Sequence, residues 1–219
     1  MNEKLIAIVQ EYVEKLFREN APPENIYHNL EHTKDVVAAA SEIALAEEIA
    51  GEDIEIILIA AWFHDSGCII VCKGHEDISS KYARSFLESI NYPEDKIKKV
   101  LSVITATKVP QNPKNKLEEV LCDADLHHLG TKDFDEKGYL LRQEIEKRGD
   151  GVFSDEKWLH HSFEFLKGHH FFTSYAKEKY GIQKNINLTK IAKQLESIKE
   201  KKEKVLAERN RANRNNKEN

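Results

Sequence analysis

The sequence predicts an all-α protein folded as a compact helical bundle. Three observations lead there. Apolar residues recur at three- and four-residue spacing along almost the whole chain, which is the helical period, and strand-like alternation is rare. The breaks in that pattern fall at Pro, Gly and Asn clusters, where helices stop. A chain of 219 residues, 40% of them hydrophobic, is long enough for one domain with a full core and too apolar for wholesale disorder.

The elements follow in order. A first helix is expected over residues 3–18, ending before Asn20-Ala21-Pro22-Pro23. A second starts at Asn29, a good N-cap residue, and runs to about residue 50. A third, over about 53–65, is apolar on nearly every face, which marks a central helix, and it ends at Ser66-Gly67. After a loop, a helix is expected over about 76–90. Pro93 can open the next, to about residue 105. Residues 109–115 hold two prolines and read as a loop, and a helix over about 116–128 ends at Gly130. Later helices are expected near residues 135–147, 155–167, 171–178 and 188–207. We therefore assign residues 1–198 to one domain. Residues 199–219, rich in Lys, Glu, Arg and Asn, form a charged tail that frays toward disorder.

Composition excludes several function classes. The net charge of −5 and pI near 6.1 argue against generic nucleic-acid binding, which needs a basic face. No apolar run approaches the ~20 residues that span a bilayer, and the N-terminus reads as an amphipathic helix, not a secretory signal. Cys68, Cys72 and Cys122 are too few, and odd in number, for a disulfide framework. Cys68 and Cys72 lack the second pair of a zinc ribbon. A cytoplasmic location follows from these readings. The residues do not fix the oligomeric state, and a homo-oligomer is one allowed outcome.

Three segments carry chemistry. In Tyr27-His28-Asn29-Leu30-Glu31-His32, the two histidines are four apart and share a face if one helix holds both. In Trp62-Phe63-His64-Asp65-Ser66-Gly67, ligand-type residues end an apolar helix. In Leu121-Cys122-Asp123-Ala124-Asp125-Leu126, carboxylates sit inside an apolar pattern. Buried charges need compensation, and a divalent cation supplies it. Imidazoles and carboxylates together suit Mn, Fe, Co, Ni, Zn or Mg, with open positions for water or a phosphate oxygen.

The order His32…His64-Asp65…Asp125 resembles the HD-domain metal-dependent phosphohydrolase superfamily. The closest likeness is to a group of bacterial HD hydrolases with YHNL-x-H, HD, a Glu on the next helix, and DADL-x-x-LG. The YHNxxH start also resembles cyclic-nucleotide phosphodiesterases. The likeness runs from Tyr27 to Gly130. It implies that His32, His64, Asp65 and Asp125 bind the metal, with Asp125 favoured over Asp123 because the family places its ligand in Ala-Asp-Leu. It implies that His28 gives a proton to the leaving oxygen. Asp65 then serves catalysis through the metal, and His75 and Glu76 follow the HD loop, where relatives place residues of a second metal site or water-positioning acids.

Weaker candidates come from the residues themselves. Lys108, at a helix end, reads as a phosphate contact or a helix-end lysine. Arg142, among apolar neighbours, reads as a phosphate clamp or as the partner of Glu144 or Glu146. The pairs His127-His128, His160-His161 and His169-His170 read as structural, since adjacent helical residues point apart. His169 and His170 are distant candidates for a pocket rim.

The function expected is a metal-dependent phosphohydrolase in which a metal-activated water attacks a phosphate ester or anhydride. The substrate is a small phosphorylated compound, by family analogy a nucleotide. The alternative is a metal-containing, nucleotide-sensing module without turnover, with the charged tail as its link to a partner. A third reading is a two-metal oxygenase on a related helical scaffold.

Overall fold

The helical period of the sequence becomes nine α-helices, and no strand, among the residues 2–215 that a computed structural model describes. They are α1 (Glu3–Asn20), α2 (Leu30–Ala46), α3 (Gly51–Phe63), α4 (His75–Ser89), α5 (Glu94–Ala106), α6 (Lys116–Asp125), α7 (Phe134–Arg148), α8 (Asp155–Gly168) and α9 (Ser174–Asn215). Short 3-10 turns follow α3 (Ser66–Ile69) and α6 (His127–Gly130). No described helix is long and apolar enough to cross a membrane.

Helix α3 is the axis of the bundle. Every residue from Ile54 to Phe63 is buried, so neighbours must cover all its faces. Helices α1, α2, α5 and α6 pack around it. Fully buried Ile56, Ile57 and Ile59 each contribute roughly 1.5–3 kcal/mol of burial. The one charge in that run, Glu55, is satisfied: it accepts from the Asn2 backbone N–H at 2.8 Å and from the Tyr92 hydroxyl at 2.9 Å. Helix α1 brings its stripe of Val9, Val13 and Phe17, spaced one helical turn apart, onto the same core.

Several helix starts are fixed by local chemistry. The Asn29 side chain accepts from the backbone of Glu31 and His32, and Asn115 does the same for Leu117 and Glu118. Helix α2 thus begins at Leu30, and His28 lies before the cap instead of within the helix. Gly67 lets the turn after α3 lie against the start of α4. Its N–H donates to Ser79 Oγ at 2.8 Å, and a Cβ there would sit 2.1 Å from the His75 carbonyl oxygen.

The C-terminal helices form a second, smaller core of Leu129, Phe134, Leu166 and Ile191. The two helices expected around residues 171–178 and 188–207 are one, α9, which runs through Gly181 without a break. A glycine inside a helix costs only about 1 kcal/mol. Anchors on both sides outweigh it. The α9 backbone at Tyr180 presses on the bare Cα of Gly130, and Asn187 donates to the carbonyls of Leu129 and Thr131 at 3.0 and 2.9 Å. Beyond residue 198, α9 continues to Asn215, and residues 199–210 of it are exposed. The expected fraying of residues 216–219 lies outside the described residues.

Two glycine substitutions should therefore act in opposite directions. Gly67→Ala overpacks the α3–α4 junction and should destabilise by about 3 kcal/mol. Gly181→Ala has open space around it and should stabilise by about 0.5–1 kcal/mol. Urea unfolding of both variants checks this; equal midpoints for Gly67→Ala and wild type would contradict the close approach.

Candidate metal centre

Four side chains from three helix ends meet at one point. His32 comes from the first turn of α2, His64 and Asp65 from the end of α3, and Asp125 is the last residue of α6. One ligand atom from each lies within 4.8 Å of all the others. His32 Nε2 and His64 Nε2 are each 3.2 Å from Asp65 Oδ2 and 3.6 Å from Asp125 Oδ1. Donors about 2.1 Å from a common ion stand roughly 3–4 Å apart, so the spacing fits a cation. The chemistry of the donors fits as well. His32 Nε2, His64 Nε2 and Asp65 Oδ2 are buried and have no hydrogen-bond partner, a costly arrangement for a site meant to stay dry.

The tautomer of His64 is set locally. Its Nδ1–H donates to the Ala61 carbonyl at 2.7 Å, which leaves the lone pair on Nε2, facing the cluster. Burial disfavours charge on both ligand imidazoles, yet Asp65 and Asp125 outweigh it and hold His32 and His64 above the usual histidine range. Burial likewise works against ionised Asp65 and Asp125, and the surrounding imidazoles pull both below the usual carboxylate range. The cluster thus holds two carboxylates as anions, and protons or a cation must balance them.

Around the cluster lies a cavity of about 230 Å3. His75 and Glu76, at the start of α4, line it, placed there by a left-handed turn at Gly74 with φ +77°. Both His75 nitrogens face acceptors: Cys72 O at 2.6 Å and Asp65 Oδ1 at 3.0 Å. Against the pull of burial, Asp65 raises His75 to about 9. Glu76 Oε2 is buried without a partner. His28 also lines the cavity, its ring centroid 6.0 Å from that of His32.

The other residues singled out in the sequence lie elsewhere. Lys108 is exposed and does not line the cavity. Arg142 also stays outside. Its guanidinium bonds Glu146 at 3.0 Å, Asp155 at 2.7 Å and the Phe153 carbonyl. Asp123 holds neither a ligand position nor a ligand imidazole. It accepts the backbone N–H groups of Phe172 and Thr173 at 2.8 and 2.7 Å and so docks the chain entering α9. His169 and His170 line a separate cavity beside residues 109–111.

Sequence reasoning missed Glu144 as the partner of His28. This α7 carboxylate is buried; it accepts His28 Nδ1 at 2.5 Å and the backbone N–H groups of Tyr27 and His28 at 2.8 and 2.9 Å. Burial opposes its charge, but His28 and these donors hold it below the usual carboxylate range. An acid three residues after Leu141 in an apolar stripe was the signal available. His128, which burial and its neighbour His32 depress to about 3, lines the cavity as a neutral ring beside the Tyr27 hydroxyl.

Known proteins align with this picture. The family model for the HD domain matches residues 29–148, more than half of the chain. Three solved structures share the fold. A predicted HD superfamily hydrolase from an uncultured Thermotogales bacterium has 18% identity and a TM-score of 0.57, covering 85% of this chain and 91% of its own. Bacillus subtilis YpgQ, in complex with ADP, has 16% identity and a TM-score of 0.63, covering 89% and 95%. A Lactobacillus plantarum protein has 14% identity and a TM-score of 0.68, covering 90% and 97%. No curated protein matches the sequence.

A cation bound at this cluster stabilises the folded chain by mass action, about 2.7 kcal/mol at a hundredfold excess over Kd. Added Mn2+ should therefore raise the melting temperature of the wild type by roughly 5–10 °C. Asp65→Ala should lose the shift and the bound metal while keeping its helical circular dichroism. Equal metal content in the two proteins would remove this cluster as the binding site.

Proposed function

The chain belongs to the HD-domain family, and from that premise we propose that it is a phosphohydrolase whose divalent metal is held by His32, His64, Asp65 and Asp125. The observation that carries this reading is the convergence of those four side chains, with buried lone pairs that no protein donor meets. A divalent cation at that point supplies Lewis acidity toward a phosphate oxygen and makes water nucleophilic at neutral pH.

The chain's own residues supply the rest. His28 donates the proton that the leaving oxygen needs. Glu144 grips its Nδ1, fixing the ring and leaving Nε2 for the substrate. Glu76 lines the same cavity and keeps one buried carboxylate oxygen without a partner; its carboxylate is suited to orienting the attacking water and taking its proton. His75 holds Asp65 in place through its 3.0 Å contact, as an outer partner of a ligand does. A nucleotide is the substrate favoured by family analogy. The complex of the related YpgQ with ADP makes nucleotides the first compounds to try.

The deciding experiment is a metal-by-substrate hydrolysis screen with Asp65→Ala beside the wild type. Turnover by the wild type and a loss of at least a thousandfold in Asp65→Ala are expected. Metal binding without hydrolysis of any phosphate compound would favour a sensory module instead.

The proton-donor role has its own signature. His28→Ala should lower kcat about 10²–10⁴-fold for an alkyl phosphate, whose leaving group needs a proton. For p-nitrophenyl phosphate, whose leaving group does not, the loss should be under tenfold. Glu144→Gln should show the same leaving-group pattern at roughly 10–100-fold. Equal losses on both substrates would refute this assignment.

A further inference from the structure

Each carboxylate of the cluster turns one oxygen to the imidazoles and the other to a neighbour. Asp65 Oδ2 stands 3.2 Å from His32 Nε2 and from His64 Nε2, and its Oδ1 stands 3.0 Å from His75 Nε2. Asp125 repeats the arrangement. Its Oδ1 is 3.6 Å from the same two imidazole nitrogens, and its Oδ2 faces the side-chain amide of Gln111, with Nε2 3.5 Å away. Gln111 lies in the loop between α5 and α6.

That loop is fixed at both ends. Where it begins, Cys122 Sγ donates to the Ala106 carbonyl at 3.1 Å. Where it ends, buried Glu118 accepts the Lys114 backbone N–H at 2.6 Å, the Asn115 amide at 2.8 Å and the Ser102 hydroxyl at 2.6 Å. Between these anchors Gln111 Nε2 donates to the Cys122 carbonyl at 3.2 Å and reaches Asp125 Oδ2 with the same NH2 group. An amide carries two N–H bonds, so both acceptors can be met together. A reversed amide would set its oxygen against two oxygens, so the NH2 end belongs there. The 3.5 Å contact is long for a hydrogen bond, and the charge of the acceptor strengthens it. Gln111 Oε1 is meanwhile buried with no protein partner, a cost that the placement of the donors must offset.

We propose that Gln111 is a positioning residue for the metal: it holds Asp125 Oδ2, so that Asp125 offers the ion one oxygen, Oδ1. The inference rests on the metal centre proposed above and assigns one of its outer partners. A carboxylate beside a divalent cation can bind through one oxygen or through both. A donor on the second oxygen favours the first mode and keeps a coordination position for water or a phosphate oxygen. His75 holds Asp65 in the same way, and the Ala61 carbonyl holds His64.

The test is metal binding by the full chain, with no substrate present. Gln111→Met keeps the length of the side chain and removes its N–H groups. Gln111→Asn keeps the amide and shortens its reach. Calorimetric titration with Mn2+ should show affinity lowered roughly 10–100-fold in Gln111→Met, with Gln111→Asn between it and the wild type. Co2+ adds a signature that a role in capping α6 would not move. The visible absorption of bound Co2+ weakens as its coordination number rises, so Gln111→Met should give a weaker band than the wild type as Asp125 binds through both oxygens. Thermal melts without metal report the cap separately. A Gln111→Met protein that melts lower without metal, yet binds Mn2+ and Co2+ with wild-type affinity and spectrum, would reduce Gln111 to a helix cap and overturn the proposal. If Gln111→Met does not fold, Gln111→Asn decides on the same two readouts. Metal lost in Asp65→Ala but unchanged in both Gln111 variants would refute this inference and leave the metal centre standing; no metal bound by the wild type would refute both.

Discussion

One buried and one half-buried carboxylate facing two buried imidazoles are the constraint on which this molecule is organised. Asp65 and Asp125 are drawn out of water at the ends of α3 and α6. An ionised carboxylate in such a place is tolerable only with compensating charge. His32, His64 and His75 surround them, and unpartnered donor atoms are left at the centre. An apolar core would be easier to build there. Retaining four such groups is costly for folding and makes sense as the foundation of a metal site.

The scaffold around the cluster serves its placement. Helix α3 is buried on every side, so His64 and Asp65 emerge at a position the whole core defines. Gly67 lets α4 come close enough for His75 to reach Asp65. Asp123 ties α6 to the chain entering α9, and Asn187 and Gly130 tie α9 to the turn after α6. Glu144 reaches from α7 across the cavity to His28 and to the backbone ahead of α2. Helices α7 and α8 thereby close one side of the cavity, and their aromatic rings face its polar end. Helix α7, which holds His28 through Glu144, thus also lines the cavity beside α8.

Much of the helical layout was legible because its signals are local. Asn29, Pro93 and Asn115 mark helix starts through backbone donors or a preset dihedral within a few residues. The failures are also physical. The expected split into helices near 171–178 and 188–207 does not occur, because Tyr180, Asn187 and Ile191 bury against distant parts of the chain and hold one continuous helix through Gly181. His28 and His32 read as one helical face, although the Asn29 cap separates them and a carboxylate on α7 brings the ring back.

By itself, then, the sequence determined the all-α class and the short motifs in which His32, His64, Asp65 and Asp125 occur, because helical period, caps and ligand-type residues in apolar runs are contiguous in the chain. Only the tertiary structure decided what joins those motifs. It sent Asp123 to the backbone of Phe172 and Thr173, turned Arg142 toward Asp155 and Glu146, left Lys108 in solvent, and set Glu144 on His28. Glu144 and His28 are separated by 116 positions, and such a pairing follows from the packing of α7 against the bundle, which no local pattern encodes.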